Sequence, residues 1–193
     1  MNGSIQTFFT KEECDEIALF CEKIGITFNH GVAVLNPWDN RKIHNDQFKE
    51  KILNRYKEVF GNDTSIPFNV NSLTIDNIYL TLTRYFDGRF LEMHKDTSSD
   101  LTTVIVLTDD FYDGRFVLSQ NNMKIENNIV DETLLNNINK GEGITFYGGE
   151  IYHGVMPVKN GIRKSLNIWV NPNQFKMDVG DRTLNAKTKK TFL

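Results

Sequence analysis

His94-Lys95-Asp96 places an imidazole and a carboxylate two residues apart. On an extended chain both side chains leave the same face and can converge on one ion. A second histidine, His153, follows far downstream. Two imidazoles and one carboxylate form the donor set that suits Fe(II), because it leaves coordination positions open for reactants. Taken alone, the triplet reads better as a surface histidine followed by an aspartate that opens the turn Asp96-Thr97-Ser98-Ser99.

Arg163, followed by Ser165 and Trp169, shifts that balance. A guanidinium is a rigid fork that grips a carboxylate at two points, and the pairing is strong when buried. To serve one site, Arg163 and His153 must point inward together. A two-residue Asn160-Gly161 hairpin pairs His153 with Ile168 and turns it to the wrong face. A three-residue loop, Lys159-Asn160-Gly161, with Gly161 left-handed in a bulge, pairs His153 with Asn167 instead. That register predicts His153, Arg163, Ser165 and Asn167 on one face.

The elements that must position these residues fall into two parts. Thr10 with Glu13 forms a capping box, after which Cys14, Ile17, Ala18, Cys21 and Ile24 recur at helical spacing. A second helix fits residues 46–60, with Phe48, Ile52, Tyr56 and Val59 on one face and Gly61 as the stop. Between them, residues 26–35 read as a strand and 36–40 as a loop. From residue 71 the period changes to two, with strands expected at 74–85, 90–96, 101–108, 114–119, 123–130, 143–147, 151–158 and 162–170. Short strands between Gly, Asn and Asp turns suggest a sandwich or barrel, and no βαβ rhythm supports a parallel sheet. Residues 131–139 fit one helical turn. The polar tail after Pro172, with Lys187, Lys189 and Lys190, reads as a loosely ordered terminus.

Two strands have a polar and an apolar face. Tyr79, Thr81, Thr83 and Tyr85 share one side of their strand, with Leu80 and Leu82 opposite. Arg163, Ser165, Asn167 and Trp169 share a side, with Leu166, Ile168 and Val170 opposite. The apolar sides suit docking by the two helices, which leaves the polar sides to line the inside of a barrel.

At 193 residues, with 39% hydrophobic and 24% charged residues, the chain suits one domain with a real core. A net charge of −3 favours neither nucleic acid nor an anionic membrane as a partner. No apolar run reaches the length of a membrane span, and the opening residues lack the pattern of a signal peptide. Cys14 and Cys21 stand about 10 Å apart along a helix, too far for a disulfide, and read as buried thiols in a reducing compartment, the cytoplasm. His30 and His44 read as ordinary surface residues.

The sequence resembles the 2-oxoglutarate/Fe(II) oxygenases of the prolyl 4-hydroxylase type. The resemblance runs from about Phe8 to Val170 and rests on motifs in order. These are Phe9-Thr10-Lys11-Glu12-Glu13-Cys14, Arg84-Tyr85-Phe86-Asp87-Gly88 before His94-Lys95-Asp96, and the stretch from Leu107 to Gly114. Gly143-Ile144-Thr145-Phe146, His153-Gly154-Val155-Met156-Pro157-Val158 with Gly161 and Arg163, and Ile168-Trp169-Val170 complete the set. It implies a mostly β fold with N-terminal helices, a double-stranded β-helix (a jelly-roll, cupin-like barrel). In that arrangement residues 1–70 brace the barrel, 71–171 form it and 172–193 are a tail, all within a single oxygenase domain spanning 1–193.

By the same resemblance His94, Asp96 and His153 hold the metal, and Arg163 binds the distal carboxylate of 2-oxoglutarate. Tyr85 falls where many members aim a hydroxyl at the co-substrate, although the position equally suits a half-buried strand tyrosine. Ser165 and Asn167 are co-substrate candidates by strand parity, and Trp169 is expected to pack the barrel wall. Leu91 and Met93 depart from the tyrosine and proline frequent in relatives, and Gly114-Arg115-Phe116 replaces a double-glycine acidic stretch, so the substrate is not carried over. The implied cofactors are Fe(II), 2-oxoglutarate and O2, with ascorbate to keep the iron reduced. The implied reaction is a dioxygenase hydroxylation of an unactivated C–H bond, prolyl or other, in a peptide or protein, with release of succinate. A free amino acid or other small molecule is the alternative substrate, and an inactive jelly-roll metal-binding protein is the alternative class. Demethylation of nucleic acid ranks below these, for want of a basic stripe. A monomer or weak dimer is expected, with residues 37–41 or 97–100 as substrate lid.

Overall fold

The computed structural model describes residues 3–27, 39–96, 99–122 and 134–173. In chain order the elements are β1 (Ser4–Thr7), α1 (Lys11–Ile24), β2 (Ile26–Thr27), β3 (Asp39–Lys42) and α2 (Asp46–Phe60). Two short 3-10 turns, Val70–Ser72 and Ile75–Asn77, lead into β4 (Ile78–Tyr85), β5 (Leu91–His94) and β6 (Leu101–Val106). Then come β7 (Tyr112–Asp113), β8 (Phe116–Ser119), β9 (Leu135–Asn136), β10 (Glu142–Phe146), β11 (Tyr152–Val155), β12 (Val158–Lys159) and β13 (Arg163–Val170).

Seven strands form the larger sheet in the order β1-β10-β6-β13-β4-β3-β2, and four form the smaller one in the order β5-β11-β8-β9. β12 and β7 pair separately. Every ladder is antiparallel. The two facing sheets make the expected double-stranded β-helix.

Both helices begin as their sequences require. The Thr10 side chain accepts from the Glu13 amide while the Glu13 carboxylate accepts from the Thr10 amide, which satisfies two otherwise orphaned donors at the start of α1. Asn45 caps α2 by accepting from the Phe48 amide. The helices cover the outer face of the larger sheet. Cys14, Ile17 and Cys21 from α1, and Phe48, Ile52, Tyr56 and Phe60 from α2, join one core with Leu80, Leu82, Leu166, Ile168 and Val170. The leucine sides of β4 and β13 therefore face the helices, as their alternation requires, and turn the polar sides toward the smaller sheet. Burial raises both thiols, Cys14 to about 11, and neither cysteine is disulfide-bonded.

The structure also corrects local expectations. Residues 75–77 are a 3-10 turn because the Asn77 side chain accepts from the Thr74 amide and hydroxyl, so the strand starts at Ile78. Residues 39–42 pair with β4 where a loop was expected, and β1 adds to the edge at β10. Within 131–139 the described part holds strand β9, which extends the smaller sheet beside β8. His44 is buried, at 8% exposure. The hairpin register is the main difference. β11 pairs with β5 and β8, and β13 with β4 and β6, so His153 and Asn167 lie on different sheets. The connecting turn puts Asn160 at φ 52, the left-handed conformation expected of Gly161, while Gly161 takes φ 152. A Cβ on Gly161 would meet the Asp110 carbonyl oxygen at 1.9 Å, so close backbone approach demands glycine there. The expected strand 123–130, His30, most of 26–40, residues 97–98 of one lid and the tail beyond 173 lie outside the described residues.

Candidate active site

The two histidines meet because their strands do. His94 on β5 and His153 on β11 are direct cross-strand partners in the smaller sheet, with ring centroids 4.2 Å apart. Asp96 follows two residues after His94, held by its amide donating to the Gly148 carbonyl at 2.8 Å. One ligand atom from each of His94, Asp96 and His153 lies within 4.8 Å of the other two. Phe146 and Phe116 flank His153 at 4.6 and 5.9 Å between centroids, which fixes its ring and keeps its surroundings dry.

The tautomers follow from the backbone. His94 Nδ1 lies 2.9 Å from the Glu92 carbonyl oxygen, and His153 Nδ1 lies 3.1 Å from that of Ile151. A carbonyl only accepts, so each Nδ1 donates to it and each Nε2 is the ring nitrogen turned to the site. His94 Nε2 lies 3.6 Å from Asp96 Oδ1 and His153 Nε2 lies 3.4 Å from Asp96 Oδ2. Two imidazole nitrogens and a carboxylate converging in this way are the donor set of a divalent metal, so the residues present fit one. Burial opposes charge on both Asp96 and His94. The neighbours His153, His94 and Thr102 outweigh it at Asp96 and hold that carboxyl well below the usual range, and Asp96 beside His94 raises the imidazole.

Arg163 arrives from the opposite sheet. It opens β13, is 1% exposed, and lines the same cavity as the three ligand residues. That cavity encloses about 330 Å³, its open mouth included. Among the described residues Arg163 makes no ion pair, and its Nη1 has no hydrogen-bond partner. Burial lowers its pKa to about 10, still far above neutrality, so a desolvated cation waits there for an anion. Its neighbour is Tyr85, the cross-strand partner on β4, whose ring centre lies 5.7 Å from the guanidinium carbon.

The remaining expected residues divide. Ser165 and Asn167 both line the cavity, but the Asn167 amide group already donates to Thr83 and Thr81 at 2.6 and 3.2 Å, which ties it to β4. Tyr85 lines the cavity and is buried at 3% exposure. Trp169 does more than pack the wall, because its indole Nε1 donates to Asp96 Oδ2 at 2.8 Å. Thr102 escaped sequence reasoning altogether, and its hydroxyl donates to the same oxygen at 2.6 Å. The parity that put Trp169 on the face of Arg163 was a usable signal, whereas Thr102 could be found only from the β6–β13 register.

The family profile of the 2OG-Fe(II) oxygenase superfamily matches residues 80–171, a span that contains His94, Asp96, His153 and Arg163. Over that span, just under half of the chain, the sequence is similar to this superfamily, and the match together with the His94, Asp96 and His153 donor set supports a dioxygenase that takes Fe(II), 2-oxoglutarate and O2. Solved structures share the fold at low identity. A prolyl-4-hydroxylase from Pseudomonas putida has TM-score 0.58 at 15% identity, covering 88% of this chain and 92% of that one. A viral collagen prolyl hydroxylase from Paramecium Bursaria Chlorella virus-1, solved with 2-oxoglutarate, has TM-score 0.59 at 13% identity, covering 88% and 96%. A prolyl hydroxylase from Trichoplax adhaerens, in complex with a hypoxia inducible factor peptide fragment, has TM-score 0.60 at 14% identity, covering 98% and 88%. Comparison with curated protein sequences gives no significant match.

Proposed function

We propose that this oxygenase hydroxylates a prolyl or other residue within a peptide or protein, with His94, Asp96 and His153 as metal ligands and Arg163 as the anchor of 2-oxoglutarate. The observation that carries the reading is the convergence of three ligand atoms and an unpaired, buried guanidinium on one cavity. Bound Fe(II), with 2-oxoglutarate and O2, supplies the oxidising power that releases succinate and carbon dioxide and adds one oxygen atom to a substrate C–H bond. The chain supplies position. Arg163 neutralises the far carboxylate, and with Ser165 beside it sets how deep the co-substrate enters. The Tyr85 ring lies beside the Arg163 guanidinium, 5.7 Å from its carbon. Phe116, Phe146 and Val104 exclude water around the reacting groups.

Three neighbours of the same fold are named as prolyl hydroxylases, one of them in complex with a peptide, which supports a peptide substrate over a free amino acid. The whole chain as one oxygenase domain, and a cytoplasmic setting suited to two free thiols, belong to the same reading. The test is incubation of the full chain with Fe(II), ascorbate, 2-oxoglutarate and proline-containing peptides or free amino acids. Succinate release matched by a hydroxylated peptide supports the proposal. Hydroxylation of free amino acids alone moves it to the small-molecule alternative, and no succinate with any substrate favours an inactive metal-binding jelly roll.

A further inference from the structure

A carboxylate that ligates a metal has two oxygens, and the protein can decide which one is offered. Asp96 Oδ2 accepts from the Thr102 hydroxyl at 2.6 Å and from the Trp169 indole at 2.8 Å. Two donors on Oδ2 leave Oδ1 the less encumbered oxygen; His94 Nε2 stands 3.6 Å from Oδ1 and His153 Nε2 3.4 Å from Oδ2. Thr102 on β6 and Trp169 on β13 are direct cross-strand partners, so the ladder of the larger sheet sets their spacing. The Ser99 hydroxyl lies 2.9 Å from Thr102 Oγ1 and 2.7 Å from the Leu101 carbonyl. Tyr79, opposite Trp169 on β4, packs against the indole at 5.4 Å between centroids.

The neighbouring turn leaves room for this pair. A Cβ on Gly148 would fall 2.1 Å from Thr102 Oγ1 and 3.0 Å from Asp96 Oδ2. The residue whose carbonyl holds the Asp96 amide is thus also one whose side chain would break the contact.

We infer that Thr102 and Trp169 are positioning residues that clamp Oδ2 of Asp96, so that the carboxylate binds the metal through Oδ1 alone, and that Gly148 is the glycine this clamp requires. The inference rests on the ligand assignment proposed above. The experiment titrates Co(II) into the full-length, metal-free chain, following affinity and the visible ligand-field absorption, which responds to coordination number. Thr102→Val and Trp169→Phe remove one donor each while keeping shape, and Gly148→Ala intrudes on the pair. Each is expected to weaken Co(II) binding about 10- to 100-fold and to alter the absorption intensity. Thr102→Ser, which keeps the hydroxyl, should restore both. Melting of the metal-free proteins separates a general loss of packing from an effect on the ligand. Co(II) affinity and absorption unchanged in all three variants, with wild-type protein binding one equivalent, would overturn the clamp. No Co(II) binding by the wild type would overturn the ligand assignment itself.

Discussion

At the metal end of the cavity Asp96 accepts two hydrogen bonds and faces two imidazoles already turned by backbone carbonyls. At the other end Arg163 is buried beside the Tyr85 ring, and its Nη1 has no hydrogen-bond partner among the described residues. The first arrangement is pre-ordered by the protein before anything binds. The second holds an unsatisfied charge that only an incoming anion relieves. One end therefore sets geometry, and the other supplies a cost in the empty protein that binding of a dicarboxylate removes.

Substitutions at the two ends should differ in kind as well as in size. The largest effect is expected for Asp96→Ala, which removes the only carboxylate of the triad. Metal binding by calorimetry and succinate formation should fall to background, and the metal-free protein should melt lower because the Thr102 and Trp169 donors lose their acceptor. Arg163→Met should come next, weakening 2-oxoglutarate binding to the metal-loaded protein on the order of 10²- to 10³-fold. Its metal affinity should stay near wild type, and its metal-free melting temperature should hold or rise, because a buried unpaired charge is gone. A fall in melting temperature at Arg163→Met equal to that at Asp96→Ala would erase the contrast between the ends.

Smaller effects mark the frame that both ends share. Leu82, fully buried against the helices, should cost about 2–5 kcal/mol of stability when changed to alanine, read by denaturant unfolding. Thr10→Ala should cost about 1 kcal/mol through the lost α1 cap and leave 2-oxoglutarate affinity unchanged.

Much of this was legible in the sequence because it depends on short-range pattern. Thr10 and Glu13 announced α1, residues 46–60 gave α2 its true bounds, and the leucine alternation in β4 and β13 told which side meets the helices. His94 and Asp96 could be joined because two residues on a strand share a face. What escaped depends on which strand lies next to which. The hairpin argument brought His153 and Arg163 together for the wrong reason. They face one another across the barrel from different sheets, and the chain between them crosses over through β12. The Thr102 contact, likewise, is written in the register of β6 against β13, which no local pattern encodes. β1, β3 and β9 are short strands at or next to a sheet edge whose residues carry little alternation, so only their pairing reveals them.

The most direct measurement is calorimetric titration of 2-oxoglutarate into the Mn(II)-loaded full chain under anaerobic conditions, beside Asp96→Ala and Arg163→Met. One equivalent bound by the wild type, with binding lost in the first variant for want of metal and in the second despite it, is the expected result. Equal affinity in all three proteins would contradict a shared site for the metal and the guanidinium.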